Sequence, residues 1–310
     1  MDQYGFPKEA YAKQDDKFVI RELREDFPIL INETKDALKE SGIIFNAVNN
    51  WPIDTVANTK QDCVYIEVWS PNDTFNDLNL LIANAKRYAP KKQVILSAYL
   101  HPFKYHENKD ECQNTAILTM ASIFSSGGFH LVLGEGNSFL TCAYYPDYYV
   151  NKNKSFLMKL RSYYDFIVAY EQLLFDINII DDTRFYTGGI NDDYIFSGAD
   201  FSVVAEKNKV WTQVKHIDGY KIIHLVNFTN VNNMNWNEPK EKLPDMLEDI
   251  TIEANVIEEV ESISIASPDI NNGESIKIKF SFITRENGNK VIKFKVPKLY
   301  VWDMIYIKLK

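Results

Sequence analysis

Residues 62–71 read DCVYIEVWSP, and the alternation inside that stretch decides the fold. A period of two puts Cys63, Tyr65, Glu67 and Trp69 on one face of a strand and Val64, Ile66 and Val68 on the other. The apolar row is suited to pack against helices. That sends the Glu67 carboxylate to the opposite face, near the end of the strand. Similar apolar runs stand at 43–48, 93–100 and 129–133, and helix-period segments at 77–88, 114–125 and 155–174 follow the runs at 63–68, 93–100 and 129–133. Short strands alternating with helices are the pattern of βα units around a parallel sheet.

One more helix is expected over 15–39, with Pro28 interrupting it and Gly42 as its stop. Ahead of it, the opening MDQYGFP reads as the end of a strand, with Asp2 at its tip. That makes about five βα units where a closed barrel takes eight, so the chain is expected to begin inside a barrel that started earlier. Residues 181–202, rich in Gly, Asp and Ser and holding a Thr187-Gly188-Gly189 run, read as a linker. Alternating runs then recur at 201–206, 209–217, 220–228, 250–255, 261–267, 275–283, 290–296 and 302–308. Turn signals such as Asp218-Gly219 and Asn287-Gly288 separate several of them, as in an antiparallel β-sandwich. The longest polar interruption, 229–249, holds Pro239 and Pro244 and reads as an ordered loop. The expected fold is α/β plus all-β: part of a (β/α)8 barrel over 1–185, then a C-terminal β-sandwich over 200–310.

With 310 residues, 45% hydrophobic and 14% aromatic, the chain can bury a large core. Its formal net charge of -9 argues against a nucleic-acid backbone as partner, which calls for clustered Lys and Arg. The longest apolar runs fall far short of the roughly 18 to 20 residues of a membrane span. Cys63, Cys112 and Cys142 lack CxxC spacing and read as buried thiols rather than a disulfide framework or zinc site. The five His are too scattered for a metal cluster. No cofactor is expected.

Catalytic side chains in such barrels sit where strands end. The strand ends here carry Asp2, Gln3, Tyr4, Asn46, Asn49, Asn50, Trp51, Tyr65, Glu67, Trp69, Tyr99, His101 and Glu135. Carboxylates, amides and aromatics dominate, the set that holds sugar hydroxyls and stacks on pyranose faces. Glu67, between Tyr65 and Trp69, is partly desolvated, as a general acid requires; pairing with a buried Arg or Lys is the plainer alternative. Asp2 alone is a terminal charge, but beside Glu67 it becomes the second carboxylate of a glycosidase. Retaining enzymes hold two such groups about 5 to 5.5 Å apart. Glu135, between Gly134 and Gly136, is a ligand contact or a simple loop carboxylate. The Tyr-rich 143–150 stretch is a stacking platform or a packed connection.

Taken together, DQYG at 2–5, FNAVNN at 45–50, VYIEVWSP at 64–71, ILSAYL at 95–100, GGFHLVLGEG at 127–136 and YYDFIVAYEQLL at 163–174 resemble glycoside hydrolase family 66. This is the family of dextranases and cycloisomaltooligosaccharide glucanotransferases. VWTQVK followed by IIHLVNF is similar to the start of the family's C-terminal sandwich. The resemblance implies an α-1,6-glucan or isomalto-oligosaccharide substrate, a retaining double displacement, Asp2 as nucleophile and Glu67 as acid/base. It also implies that Asn46, Asn49, Tyr65, Trp69, Tyr99 and Glu135 line glucose subsites, and an extracellular or cell-surface location. The chain departs from the family at its front, where an N-terminal β-domain and the first barrel strands are expected; a second chain supplying those strands is one way to complete the site. Three readings stand: a dextranase-like endo-hydrolase, a cyclising transglycosylase using the same carboxylates, and a non-catalytic glycan-binding remnant. The short spacing between strands leaves little room for the carbohydrate-binding insertion that cyclising members often carry, which favours the hydrolase.

Overall fold

The apolar row of the 62–71 stretch anchors the α/β half. In the computed structural model, which describes residues 7–38, 40–143, 148–187 and 192–310, Val64–Glu67 is a four-residue strand. Val94–Ser97 pairs with it in parallel, and Phe129–His130 pairs with Val94–Ser97 in turn. A parallel bridge from Asn46 to Tyr65 brings the 43–48 segment to the other edge. Spatial order therefore follows chain order, with helices Phe75–Tyr88 and Lys109–Ser125 between successive strands. Such crossovers put helices against one face of the sheet. Val64, Ile66, Val68 and Leu96 are sealed on that face in one core with Leu78, Leu81 and Ile82 of the first helix. On the other face Tyr65, Ile95 and Phe129 are only half-buried and Leu131 is 44% exposed.

The helices start where the chain supplies caps. Thr74 and Asp77 form a reciprocal capping box, the Thr74 hydroxyl accepting from Asp77 N–H at 3.2 Å and the Asp77 carboxylate from Thr74 N–H at 2.9 Å. Asn108 and Asn153 cap Lys109–Ser125 and Lys154–Ala169 through their side-chain oxygens, which accept from the backbone N–H of Asp110 and of Ser155 and Phe156. Helix 15–39 is corrected by the structure: Glu9–Gln14 and Lys17–Glu22 form an antiparallel hairpin, and the helix spans Leu23–Ala37. Asp15 and Asp16 both take positive φ, the geometry of a two-residue hairpin turn, and the aromatic and β-branched FVI run of 18–20 favours the strand. Pro28 sits in the helix's second turn, where it removes a single backbone hydrogen bond.

The β-rich half forms two antiparallel-dominated sheets. One runs Phe201–Ser202, Val210–Ile217, Tyr220–Asn227, Trp302–Leu309, Val260–Ala266 and Ile276–Ile278, with Ile180–Asp181 also paired to Val210–Ile217. The other runs Phe280–Thr284, Lys290–Leu299, Leu247–Ala254 and Tyr194–Ser197. Val214, Ile223, Leu225, Ile305 and Ile307 of the larger sheet share a core with Ile250, Ile252, Phe294 and Val296 of the smaller. Its reverse face joins the α/β core through Trp211, Ile222, Trp302 and Met304. The Trp302 ring meets Phe166 edge-on at 5.0 Å, and the Gln213 amide donates to Ser125 Oγ at 3.0 Å. Val210–Ile217 is buried over its first six residues, and its polar members are satisfied there: Thr212 Oγ1 donates to the Ser202 carbonyl, Gln213 Nε2 to Ser125 Oγ and Lys215 Nζ to the Ser125 carbonyl. The 181–202 stretch, expected as a linker, supplies Tyr194–Ser197 to the smaller sheet and a short helix, Thr183–Tyr186. Four-residue runs such as YIFS become strands only when a partner strand is at hand. Cys112 is buried while Cys63 and Cys142 are half-buried, all three as free thiols. Among the described residues no helix is long and apolar enough to cross a membrane.

Candidate active site

Glu67 closes its strand on the face away from the helices and is 7% exposed. On the neighbouring segment, bridged to Tyr65, Asn46 donates from Nδ2 to Glu67 Oε2 at 2.8 Å, while Ala47 N–H donates to the Tyr65 carbonyl at 3.0 Å. Strand pairing thus sets the carboxamide against the carboxylate. Ser97 stands opposite Glu67 in register. Two residues on, Tyr99 is buried; burial pushes its phenol well above the usual range, the Ser97 hydroxyl opposes that, and Tyr65 and Glu67 are the neighbouring acidic groups that add to it. The phenol therefore keeps its proton and remains a donor beside the carboxylate.

Past the strand end, the Trp69 ring lies 6.2 Å from Tyr99 and 5.7 Å from His101, an aromatic shelf next to the acid. His101 Nδ1–H donates to the Thr141 carbonyl, 2.7 Å away, and burial lowers its pKa from the ordinary imidazole value. Asn49 takes up the turn that follows. With φ +51°, it donates to the Ser70 carbonyl at 2.9 Å and accepts from Trp69 N–H at 3.3 Å and Asn72 Nδ2 at 2.6 Å. Its amide is engaged by the protein and fixes Trp69.

A second clamp comes from the β-rich half. Phe75 N–H donates to the Met234 carbonyl, Trp236 Nε1 to the Asn72 carbonyl at 2.7 Å, and Trp236 N–H to the Asp73 carbonyl at 2.9 Å. The loop carrying these groups is itself pinned by Lys240, which is 0% exposed and donates to Asn233 Oδ1 at 2.8 Å, the Asn235 carbonyl at 2.5 Å and the Glu238 carbonyl at 2.7 Å. Burial pushes the Lys240 amine down to about 7, with Glu238 opposing, and the three acceptors hold its proton. None of these positioning residues stood out in the sequence. Trp236, a large aromatic inside a polar, proline-bearing loop, was the one available signal.

Asn46, Tyr65, Glu67, Trp69 and Tyr99 thus converge at the ends of the parallel strands. Glu135 stands apart on the tip of a hairpin in which Leu133 bridges Phe139; its side chain is exposed, and its carbonyl accepts from Ser138 N–H and Oγ. The hairpin's return arm reaches the rim, where Leu100 N–H donates to the Leu140 carbonyl at 3.1 Å. Asp2, Gln3 and Tyr4 lie outside the described residues, as do Tyr144 and Tyr145 of the Tyr-rich stretch. Among the described residues no group of three or more His, Cys, Asp or Glu is arranged to hold a metal ion. A desolvated carboxyl oriented by an amide, beside protonated phenol and indole, is equipped for proton transfer to a sugar oxygen.

Comparison with known proteins gives a consistent result. A dextranase of Streptococcus salivarius is 27% identical over 332 residues, covering 92% of this chain and 40% of that protein. A cycloisomaltooligosaccharide glucanotransferase of Niallia circulans is 34% identical over 200 residues, covering 62% of this chain and 19% of that protein. The chain thus spans well under half the length of these curated relatives. In three dimensions it resembles a Paenibacillus cycloisomaltooligosaccharide glucanotransferase complexed with cycloisomaltoheptaose, with a TM-score of 0.81 at 19% identity over 98% of this chain and 61% of that one. The profile of glycosyl hydrolase family 66 matches residues 1–306, and on that match across nearly its whole length the chain belongs to this family.

Proposed function

We propose that the chain carries the two catalytic carboxylates of a retaining α-1,6-glucan endo-hydrolase of the dextranase type. In this reading residues 1–185 are an arc of a (β/α)8 catalytic barrel and 200–310 a C-terminal β-sandwich. Two features support the arc: parallel strands that follow one another without reversal, and an inner row, Tyr65, Ile95, Phe129 and Leu131, left partly uncovered where further strands of a barrel would close over it. The shared core of the two antiparallel sheets supports the sandwich.

The observation that carries the chemistry is Glu67, buried at a strand's C-terminal end on the inner face and held through Oε2 by Asn46. Glu67 protonates the glycosidic oxygen as the bond to the anomeric carbon breaks, and the Asp2 carboxylate attacks that carbon from the opposite side. Glu67 then removes a proton from water, which displaces Asp2 and restores the original configuration. The chemistry needs two carboxylates and water, and no metal or cofactor. Trp69 stacks on a glucose ring, with Asn49 setting its angle, and Tyr99 donates to the sugar or to Glu67. Asn46 and Tyr65 complete the subsite, and Glu135 contacts a more distant glucose from its hairpin. A polymeric glucan is met outside the cytoplasm, which places the site of action at or beyond the cell surface.

A second reading has a specific observation behind it: the relatives include cycloisomaltooligosaccharide glucanotransferases, and transfer to a sugar would use the same two carboxylates. The two differ in the acceptor of the glucosyl group. Incubating the full encoded polypeptide with dextran and resolving the products separates them. Linear isomalto-oligosaccharides are the expected outcome, cyclic ones would establish transfer, and binding without turnover would refute catalysis.

A further inference from the structure

At the other end of the parallel strands, just ahead of Val94, lies a cavity of about 620 Å³ between helix Phe75–Tyr88, the 177–181 segment and the larger β-sheet. In a chain of net charge -9 its wall is basic: Lys86, Arg87, Lys91, Lys92 and Lys215 face a single carboxylate, Asp181. Three of these charges have plain structural accounts. Lys92 donates to the Ala57 and Thr59 carbonyls, while Arg87 and Lys91 are exposed at the rim, where a helix C-terminus favours cations. Asp181 is largely engaged, its Oδ1 accepting from Thr183 N–H at 3.0 Å and Thr183 Oγ1 at 2.6 Å.

Lys86 and Lys215 are different. Lys215 is buried between the layers, its ammonium donating to the Ser125 carbonyl. Lys86 is turned inward and half-buried, with no hydrogen-bond or ion-pair partner among the described residues. The two ammonium groups converge at Gly127, where a Cβ would stand 2.8 Å from Lys86 Nζ and 3.9 Å from Lys215 Nζ. The Leu174 carbonyl oxygen stands 3.2 Å from the same position. Two cations gathered around one point, with little carboxylate to balance them, make an electrostatic vacancy that an anion fills. Burial lowers both amines, Lys215 to about 8, with Asp181 opposing in each case and Lys86 adding to the effect at Lys215.

We propose that this cavity binds the phosphate group of a small phosphomonoester, with Lys86 as its principal ligand. The volume exceeds what inorganic phosphate fills, which leaves room for a carbon skeleton beside the phosphoryl oxygens. The site is remote from Glu67, and the inference does not depend on the glycosidase reading.

Titration calorimetry and phosphorus NMR on the whole chain test it, with inorganic phosphate, glucose 6-phosphate and glucose as probes at constant ionic strength set by chloride. Both phosphates are expected to bind and glucose not to bind at this site. Lys86→Met is expected to weaken phosphate binding about tenfold or more, the loss of one charge-assisted contact. Lys86→Arg is expected to retain it, and Arg87→Gln at the rim to change it less than Lys86→Met does. Circular dichroism checks that each variant is folded. Absence of phosphate binding at millimolar concentrations, equal displacement by chloride, exclusion of the ester, or binding unchanged by Lys86→Met would each overturn the proposal.

Discussion

Lys240→Met tests whether the β-rich half holds the segment that carries Trp69 in place. The native ammonium is sealed from solvent and satisfies three acceptors, two backbone carbonyls and the Asn233 amide oxygen, with the Phe75 ring 5.3 Å away. Methionine keeps most of the stem and removes all three donors. Each buried acceptor left unsatisfied costs about 1–3 kcal/mol. Relief of the desolvated charge returns part of that sum, so a net loss of about 2–5 kcal/mol is expected from the three orphaned acceptors. Because the 230–240 loop donates to Asn72 and Asp73 and accepts from Phe75, the damage should spread to the segment that carries Trp69. Hydrogen–deuterium exchange read by mass spectrometry should show faster exchange in peptides covering both 230–240 and 69–75, with a lower thermal midpoint. A loss below about 1 kcal/mol, or faster exchange in 230–240 alone, would refute the clamp.

Three further outcomes follow from particular side chains. Asp303 is 0% exposed; burial pushes its carboxyl well above the usual range, with the Ser267 hydroxyl opposing and Asp269 adding to the rise. A folded-state value above the unfolded one means stability that is full at acid pH and lost as pH rises through the folded value. Asp303→Asn should therefore flatten the loss of thermal stability between pH 5 and pH 8, and an unchanged profile would contradict it. Trp69→Ala should weaken binding of isomalto-oligosaccharides about tenfold, the order of one aromatic contact with its buried area, measured by calorimetry with circular dichroism unchanged. Asn49→Ala should produce a smaller loss of the same kind together with faster exchange at 69–72, since it removes the contacts that hold the turn.

Much of the α/β half was legible because its signals are local. The row Val64, Ile66 and Val68 announces which face meets helices, and that alone turns Glu67 to the other side. Thr74, Asn108 and Asn153 cap helices near where periodicity begins. The hairpin Glu9–Glu22 was misread because Asp15-Asp16 looks like a helix start until the residues on both sides are seen to pair. Tyr194–Ser197 escaped notice because four residues carry no period of their own and gain strand geometry from Leu247–Ala254, more than fifty residues away. Strand-end logic put Asn46 and Glu67 on neighbouring segments, where their side chains meet, but the engagement of Asn49 within its turn depends on Ser70 and Asn72 adopting one particular conformation. The grip of Trp236 and Lys240 on the Trp69 segment spans about 165 positions of sequence, and no pattern within a window reports it.

The central claim is that Glu67 donates and later withdraws the proton in a double displacement. The most direct measurement compares Glu67→Gln with the native residue, in the full encoded polypeptide, on dextran and on 4-nitrophenyl α-isomaltoside, whose leaving group needs no protonation. Turnover of dextran should fall about a hundred- to ten-thousandfold, while release of 4-nitrophenol in the first turnover falls by less than about tenfold. Equal losses on both substrates, or undiminished dextran hydrolysis, would contradict the assignment.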